Sequence, residues 1–166
     1  MERAFSKEYI PRISQLTNKS NQFNLTTLRC SAADIEAMAE SELWITLYGK
    51  LEDRFGDNGV VAVEAAEILP ETKEAHIRLN LMSCRVLKRD MEQAMMDVLA
   101  EKCRENGIDT IRGYYYPTKK NGMVREHYGT LGFDKISEED DGSSVWELKV
   151  SGYTNQNKHI EILKEN

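Results

Sequence analysis

A short basic turn in the middle of the sequence is the stretch best suited to bind a charged group. Between Ser83 and Asp90 the chain carries three cationic side chains, Arg85, Lys88 and Arg89. The residues before the turn alternate like a strand, and those after it recur like a helix. A helix that begins directly after a strand directs several unpaired backbone N–H groups beyond the turn. The turn is therefore a candidate anion site, in which Asp90 would compete for the same N–H groups.

The elements that would hold this turn are an amphipathic strand and an amphipathic helix. Ile77, Leu79 and Leu81 alternate with polar residues, which is the period of two expected of a strand with one apolar face. From Met91 onward the apolar residues recur every three or four positions, which predicts one buried helical stripe. Gly107 follows, and glycine readily takes the left-handed conformation that ends a helix.

Composition limits the classes of function. The 166 residues fit one domain, and the net charge of −6 argues against a nucleic-acid binder, because phosphate contacts need an excess of Lys and Arg. Cys30, Cys84 and Cys103 are widely spaced and odd in number, so we expect reduced thiols in a cytoplasmic protein and no metal site. No apolar run approaches the about 20 residues that a membrane-spanning helix needs.

The rest of the chain divides into helices and strands in an α/β order. An N-terminal arm, residues 1–22, has a helical pattern that Pro11 interrupts early. Ser31 and Asp34 form a capping-box signature, which predicts the start of a helix. A polar tail, residues 151–166, follows the single domain that we place at residues 1–150. The predicted strands are Phe23–Arg29, Leu43–Tyr48, Gly59–Ile68, His76–Leu81, Ile108–Tyr116 and Val145–Val150, with a short helix at Met123–Leu131.

Two sequence patterns support a family resemblance. One is R-x-x-K-x-D, which starts at Arg85, and the other is N-x-x-V-x-x-x-Y-x-x-L-G-F, which starts at Asn121. They resemble, respectively, the Arg/Gln-x-x-Gly-x-Gly/Ala turn and the Asn…Tyr…Leu-Gly-Phe segment of the GNAT (Gcn5-related N-acetyltransferase) superfamily. The resemblance implies a GNAT fold, an α/β (α+β) domain with a mixed central sheet flanked by helices.

A closer resemblance runs from about Lys7 to Val150. KEYIPRISQLTNKSNQFNLTTLR, DRFGDNGVVAV, LMSCRVL and YYYPTKKNGMVREHYGTLGF resemble the C-terminal part of FkbH-like proteins. These are HAD-type (haloacid-dehalogenase-like) proteins, some of which load a glyceryl unit onto an acyl carrier protein. The chain has no Asp-x-Asp-x-Thr motif, so the chemistry of the HAD half is not assigned to it. The resemblance implies an acyl carrier protein or a HAD-type domain as partner.

The resemblance also implies a coenzyme A site at the basic turn. In the GNAT superfamily, glycines of this turn let the backbone approach the pyrophosphate of acetyl-CoA or another acyl-CoA. Lys88 and Asp90 fill both glycine positions here. Modified binding of coenzyme A or phosphopantetheine, a degenerate site in a binding module, and a solvated loop stay open as alternatives. The residues carried over as cofactor-binding are Met82, Cys84, Arg85, Lys88, Arg89, Asp90 and Asn121.

Acyl transfer from a thioester needs a base, an oxyanion donor and a proton source for the thiolate. By the resemblance, Tyr128 stands where GNAT proteins have the proton donor, and a backbone N–H within residues 81–83 stands where they have the oxyanion donor. Glu64 is the candidate base, with Glu67 and His76 as alternatives.

Two functions are expected from these residues. The first is an acyltransferase-type domain that binds acyl-CoA or a carrier-bound phosphopantetheine between the fourth and fifth predicted strands. The alternative is a non-catalytic module that binds a carrier protein or another partner. Acyl carrier proteins are acidic, so the expected docking face is basic. Its residues are Arg85, Lys88, Arg89, Lys119, Lys120 and Arg125.

Overall fold

A six-stranded mixed sheet forms the centre of the fold in the computed structural model, which describes residues 7–53, 56–83 and 90–157. In the sheet the strands follow the order β1-β2-β3-β4-β6-β5. Neighbours pair antiparallel except β3 and β4, which are parallel. The strands are β1 (Trp44–Asp53), β2 (Gly56–Leu69), β3 (Glu74–Met82), β4 (Thr110–Tyr115), β5 (Asp134–Glu138) and β6 (Ser144–Lys149).

Helices cover the sheet from two sides and divide the buried apolar residues into two clusters. They are α1 (Ile10–Lys19), α2 (Ala32–Glu40), α3 (Met91–Glu105) and α4 (His127–Thr130). The larger cluster joins α3 and α4 to one face of the sheet, and the smaller joins α1 and α2 to the other face. Within the described residues, no helix has the length and apolar character needed to cross a membrane.

Local signals in the sequence correctly predict where two helices begin. The Ser31 hydroxyl accepts a hydrogen bond from Asp34 N–H at 3.1 Å, and the Asp34 carboxylate accepts one from Ser31 N–H at 2.9 Å. This is the predicted capping box, and α2 follows it. The helix after the basic turn begins at Met91 as predicted, and Gly107 beyond its end has a φ of 69°.

The predicted first strand, Phe23–Arg29, is wrong. This stretch connects α1 to α2 and forms one isolated bridge, between Asn24 and Leu81. Its extended backbone ends early because Thr27 takes a left-handed φ of 55° and donates its N–H to the Asn24 side chain at 3.0 Å. An asparagine side chain that binds the backbone in this way favours a turn over a strand ladder.

The prediction that Ile77, Leu79 and Leu81 share one face of their strand is also wrong. Two consecutive residues of β2 pair with Leu79 and Ile77, which leaves Arg78 as an extra residue on β3. Such a bulge shifts the alternation of side chains by one position. Ile77 therefore packs in the α3-side cluster, whereas Leu79 and Leu81 pack in the α1/α2-side cluster.

The end of the described chain packs on α3. Asp97 of that helix is buried, and its carboxylate accepts hydrogen bonds from the Tyr153 hydroxyl at 2.5 Å, Gln156 N–H at 2.8 Å and Asn157 N–H at 3.0 Å. The Arg104 guanidinium donates to the carbonyl oxygens of Val150 and Tyr153. Residues 150–157 are thus held against the helix by charged side chains.

Candidate functional site

The cleft between β3 and β4 is occupied by the chain itself. The two strands pair from Glu74 to His76 of β3, and beyond that point β3 binds the stretch Phe23–Leu25, here called the inserted segment. Leu25 N–H donates to the Asn80 carbonyl at 3.0 Å, and Met82 N–H donates to the Phe23 carbonyl at 3.0 Å. On the β4 side, the N–H of residue 116 donates to the Leu25 carbonyl at 2.9 Å. The inserted segment therefore takes the place of a strand between β3 and β4.

Side chains secure the inserted segment from the α4 side. The Asn121 amide is fully buried and donates to the Asn24 carbonyl at 3.0 Å and to the Tyr116 carbonyl at 2.9 Å. Its oxygen accepts from Thr118 N–H at 2.7 Å. Phe23 packs edge-on against the His127 ring, with the ring centroids 5.0 Å apart. Asn121, carried over as a cofactor-binding residue, thus binds the chain's own backbone.

The two predicted catalytic residues lie in one buried polar cluster under this cleft. Glu64 on β2 pairs directly with Asn80 on β3, and the Asn80 amide donates to the Tyr128 hydroxyl at 3.3 Å. The Tyr128 ring lies against Gly113 of β4, where an added Cβ would stand only 2.6 Å from the ring. Asn80 joins the two candidates, and the sequence analysis did not identify it. Its one available signal is a polar residue between two leucines, Leu79 and Leu81.

Burial keeps the ionisable groups of this cluster neutral near pH 7. It raises the pKa of Glu64 to about 8, and the Glu64 Oε1 atom is buried without a hydrogen-bond partner among the described residues. Burial also raises the pKa of Tyr128, against the opposing effect of its hydrogen bond with Asn80. It lowers the pKa of His127 to about 4. A protonated Glu64 cannot accept a proton, so only a minor fraction of the protein has Glu64 ready to act as a general base at pH 7.

The remaining candidates are distributed over three places. Met82 was predicted to contact the cofactor, and its N–H lies within the stretch where an oxyanion donor was expected. That N–H already donates to the carbonyl oxygen of Phe23. Asp90 immediately precedes α3 in a left-handed conformation, with a φ of 65°. Glu67 and His76 lie on the opposite face of the sheet from Glu64 and bind Arg78 and Glu74 respectively. Cys84, Arg85, Lys88 and Arg89 lie outside the described residues.

A basic groove of about 860 Å³ opens beside the inserted segment. Its floor includes Phe23, Met82 and Ser83, at the end of β3. Among the described residues, no acidic side chain lines it, so the groove favours anionic groups. The cationic side chains that line it are Arg12, Lys19, Lys119 and Lys120.

Solved structures share this arrangement of helices and strands. The ribosomal-protein-S18-alanine N-acetyltransferase from Escherichia coli superposes with a TM-score of 0.65 at 12% identity, over 96% of this chain and 99% of that chain. The GNAT domain of S. lividans PAT gives 0.69 at 16% identity, over 89% of each chain. Rv2747 from Mycobacterium tuberculosis, in complex with CoA and NLQ, superposes with a TM-score of 0.67 at 13% identity, over 90% of this chain and 98% of that chain. This chain has the GNAT fold.

At these identities the likeness establishes the fold, as the sequence patterns predicted, and leaves the activity to the residues of the site. No protein-family model and no curated protein matches the sequence. In this GNAT fold, β3 and β4 are the strands between which the acyl donor was expected, and the inserted segment lies there.

Proposed function

We propose that this GNAT-fold domain is a partner-binding module that does not transfer acyl groups from coenzyme A. The inserted segment is the observation that carries the proposal. Its carbonyl groups accept the N–H groups of Met82 and Tyr116, which border the cleft. A thioester arm that entered between β3 and β4 would need those N–H groups and the space of Phe23 and Leu25, both of which are buried.

The energy needed to vacate the cleft is a large fraction of the free energy of cofactor binding. Exposing one phenylalanine and one leucine costs about 3 to 6 kcal/mol, before any hydrogen bond is lost. A micromolar ligand binds with about 8 kcal/mol, and each 1.4 kcal/mol lowers affinity about tenfold. A coenzyme A site of micromolar intrinsic affinity would therefore bind with an apparent Kd of about 0.1 to 20 mM. Most of that range lies above the KM values of about 1 μM to 1 mM that are usual for enzymes.

The basic groove supports an acidic partner. Arg12, Lys19, Lys119 and Lys120 surround it at the end of β3, where the inserted segment closes the cleft. The resemblance to the C-terminal part of FkbH-like proteins suggests an acyl carrier protein, whose acidic surface would complement these cations. A HAD-type domain is the other partner that the resemblance suggests.

Titration calorimetry with a purified acyl carrier protein, in its apo and phosphopantetheine-loaded forms, tests this proposal. We expect both forms to bind, because recognition uses surface charge. The double variant Lys119→Glu, Lys120→Glu should weaken binding at least about tenfold. The matched control reverses two lysines at the other end of the sheet, Lys73→Glu with Lys102→Glu, and should bind like the unchanged protein. No carrier binding, or equal losses in both variants, would refute the proposal.

An acyltransferase is the second candidate, favoured by the meeting of Glu64 and Tyr128 at Asn80. It requires that the inserted segment leave the cleft. Titration of acetyl-CoA into the same protein separates the two functions: a Kd below about 0.1 mM would favour the transferase. The variant Phe23→Ala with Leu25→Ala weakens the hold of the segment, and tighter acetyl-CoA binding by this variant would identify the segment as the barrier.

A further inference from the structure

A second polar cluster lies on the opposite face of the sheet from α3. The His76 side chain is largely buried, and its Nε2 atom lies 2.9 Å from Glu74 Oε1. Its Nδ1 atom lies 2.8 Å from the Tyr114 hydroxyl oxygen. The three groups thus form a line from carboxylate to imidazole to phenol. None of them takes part in the cleft described above.

The carboxylate determines the direction of the hydrogen bonds in this line. The hydrogen bond from His76, together with the charge of Arg112, lowers the pKa of Glu74, which keeps it an acceptor. His76 therefore donates from Nε2, and in neutral imidazole the Nδ1 atom is then an acceptor. With His76 in this neutral form, Tyr114 donates its O–H to that atom. The Tyr114 oxygen can then act only as a hydrogen-bond acceptor towards a ligand on its other side.

A small cavity of about 150 Å³ lies beside Tyr114. A protein cavity of about this size accommodates benzene, which has six non-hydrogen atoms. The stretch that continues from the inserted segment forms one wall, and Thr26 donates its hydroxyl to the Arg78 carbonyl at 2.7 Å. The lining residues are Thr26, Leu28, Ile77, Arg78, Tyr114 and Tyr116. The cavity therefore exists because the inserted segment occupies the cleft.

Charge and aromatic surface define what this cavity can hold. The Arg78 guanidinium lies 5.3 Å above the Tyr114 ring, and its Nε donates to Glu67 at 3.1 Å. Tyr114 and Tyr116 stack with their centroids 6.2 Å apart. A guanidinium binds carboxylates well and repels ammonium groups. A ligand donor that meets the Tyr114 oxygen is therefore uncharged, and a hydroxyl is such a group.

We propose that this cavity binds a small hydroxycarboxylate, with its carboxylate on Arg78 and its hydroxyl donating to the Tyr114 oxygen. Lactate has six non-hydrogen atoms and both groups. The exposed Leu28 side chain lies at the cavity and would contact its methyl group. This site is independent of the carrier-protein proposal, since the basic groove shares no lining residue with it.

Three probes of similar size test the proposal by NMR titration of the whole chain, with the His76 ring as reporter. Lactate carries both groups, propionate lacks the hydroxyl, and lactamide lacks the charge. We expect saturable shifts with lactate and at least about fivefold weaker binding of the other two. Tyr114→Phe should remove the preference for lactate over propionate. Arg78→Gln should remove the preference for lactate over lactamide.

The matched control is Arg125→Gln, an exposed arginine that does not line the cavity, and it should leave all three affinities unchanged. If Tyr114 or Arg78 had only a structural role, its replacement would change the affinities for all three probes alike. The decisive result is therefore the loss of a single preference in each variant. The proposal is overturned if lactate produces no saturable shift at the His76 ring. It is equally overturned if both variants keep the order of affinities.

Discussion

Replacing Glu64 by glutamine should abolish a pH dependence of stability that this residue imposes. Glutamine has nearly the same shape and does not ionise. Burial raises the pKa of Glu64 from 4.5 to about 8, and its side chain is buried, so solvent does not screen the effect. Between these pH values the folded chain holds a proton at Glu64 that the unfolded chain has released. The stabilisation is complete below pH 4.5 and is lost as the pH rises towards 8.

The size of this effect on stability depends on the pH range between the unfolded and folded pKa values of Glu64. Each pH unit corresponds to about 1.4 kcal/mol, so the free energy of unfolding should fall by about 2 to 3 kcal/mol between pH 5.5 and 7.5 on account of Glu64. His127 acts in the opposite sense, because its pKa of about 4 makes the folded state gain stability up to about pH 6.5. The difference between the unchanged protein and Glu64→Gln cancels that contribution.

Urea unfolding at pH 5.5, 6.5 and 7.5 measures the difference. We expect Glu64→Gln to gain about 2 to 3 kcal/mol relative to the unchanged protein across this range. Glu67→Gln is the matched control, since Glu67 lies three residues later on the same strand, is half-exposed and pairs with Arg78. Parallel pH profiles of the two proteins would refute the reasoning and would restore Glu64 as a possible general base at pH 7.

Three further substitutions test the packing around the site. Gly113→Ala should destabilise the fold by at least about 1 to 3 kcal/mol in urea unfolding, because a Cβ would collide with the Tyr128 ring. Ser31→Ala should lower the free energy of unfolding by about 1 kcal/mol, because it removes one bond of the capping box. Asp97→Asn should cost about 1.5 to 3 kcal/mol and expose the chain around Tyr153 to limited proteolysis, because the buried carboxylate loses its charge.

Each of these substitutions has a control. Gly152→Ala adds a Cβ where no atom lies within 4 Å, and it should be nearly neutral. Ser31→Asp retains a capping oxygen and should keep most of the stability. Tyr153→Phe removes one of the hydrogen bonds to Asp97 and should cost less than Asp97→Asn. A stable Gly113→Ala, or proteolysis that is unchanged in Asp97→Asn, would contradict the packing described here.

The features that the sequence predicted correctly depend on neighbouring residues. The capping box at Ser31 needs only Asp34, and the start of α3 at Met91 is visible as a change from a period of two to a period of three and four. Gly107 marks the end of that helix for an equally local reason. The GNAT fold followed from motifs at Arg85 and Asn121 together with the order of elements.

The candidate site was harder to predict because its contacts join distant parts of the chain. Glu64 and Tyr128 were named from their positions, and Asn80, which brings them together, lies 48 residues from Tyr128. The bulge at Arg78 leaves no mark in the alternation of apolar residues, yet it reverses the faces of Leu79 and Leu81. Side-chain direction after a bulge depends on the neighbouring strand.

By itself, the sequence determined where α2 and α3 begin, since capping residues and apolar periodicity act over a few positions. Its resemblance to the GNAT superfamily indicated the fold. Only the tertiary structure decided what fills the cleft. The letters Phe-Asn-Leu at residues 23–25 suit a strand as well as an inserted segment. The choice depends on hydrogen bonds to Asn80, Met82 and residue 116, all of which are remote in sequence. Those contacts close the cleft in which the acyl donor was expected, above the buried polar cluster.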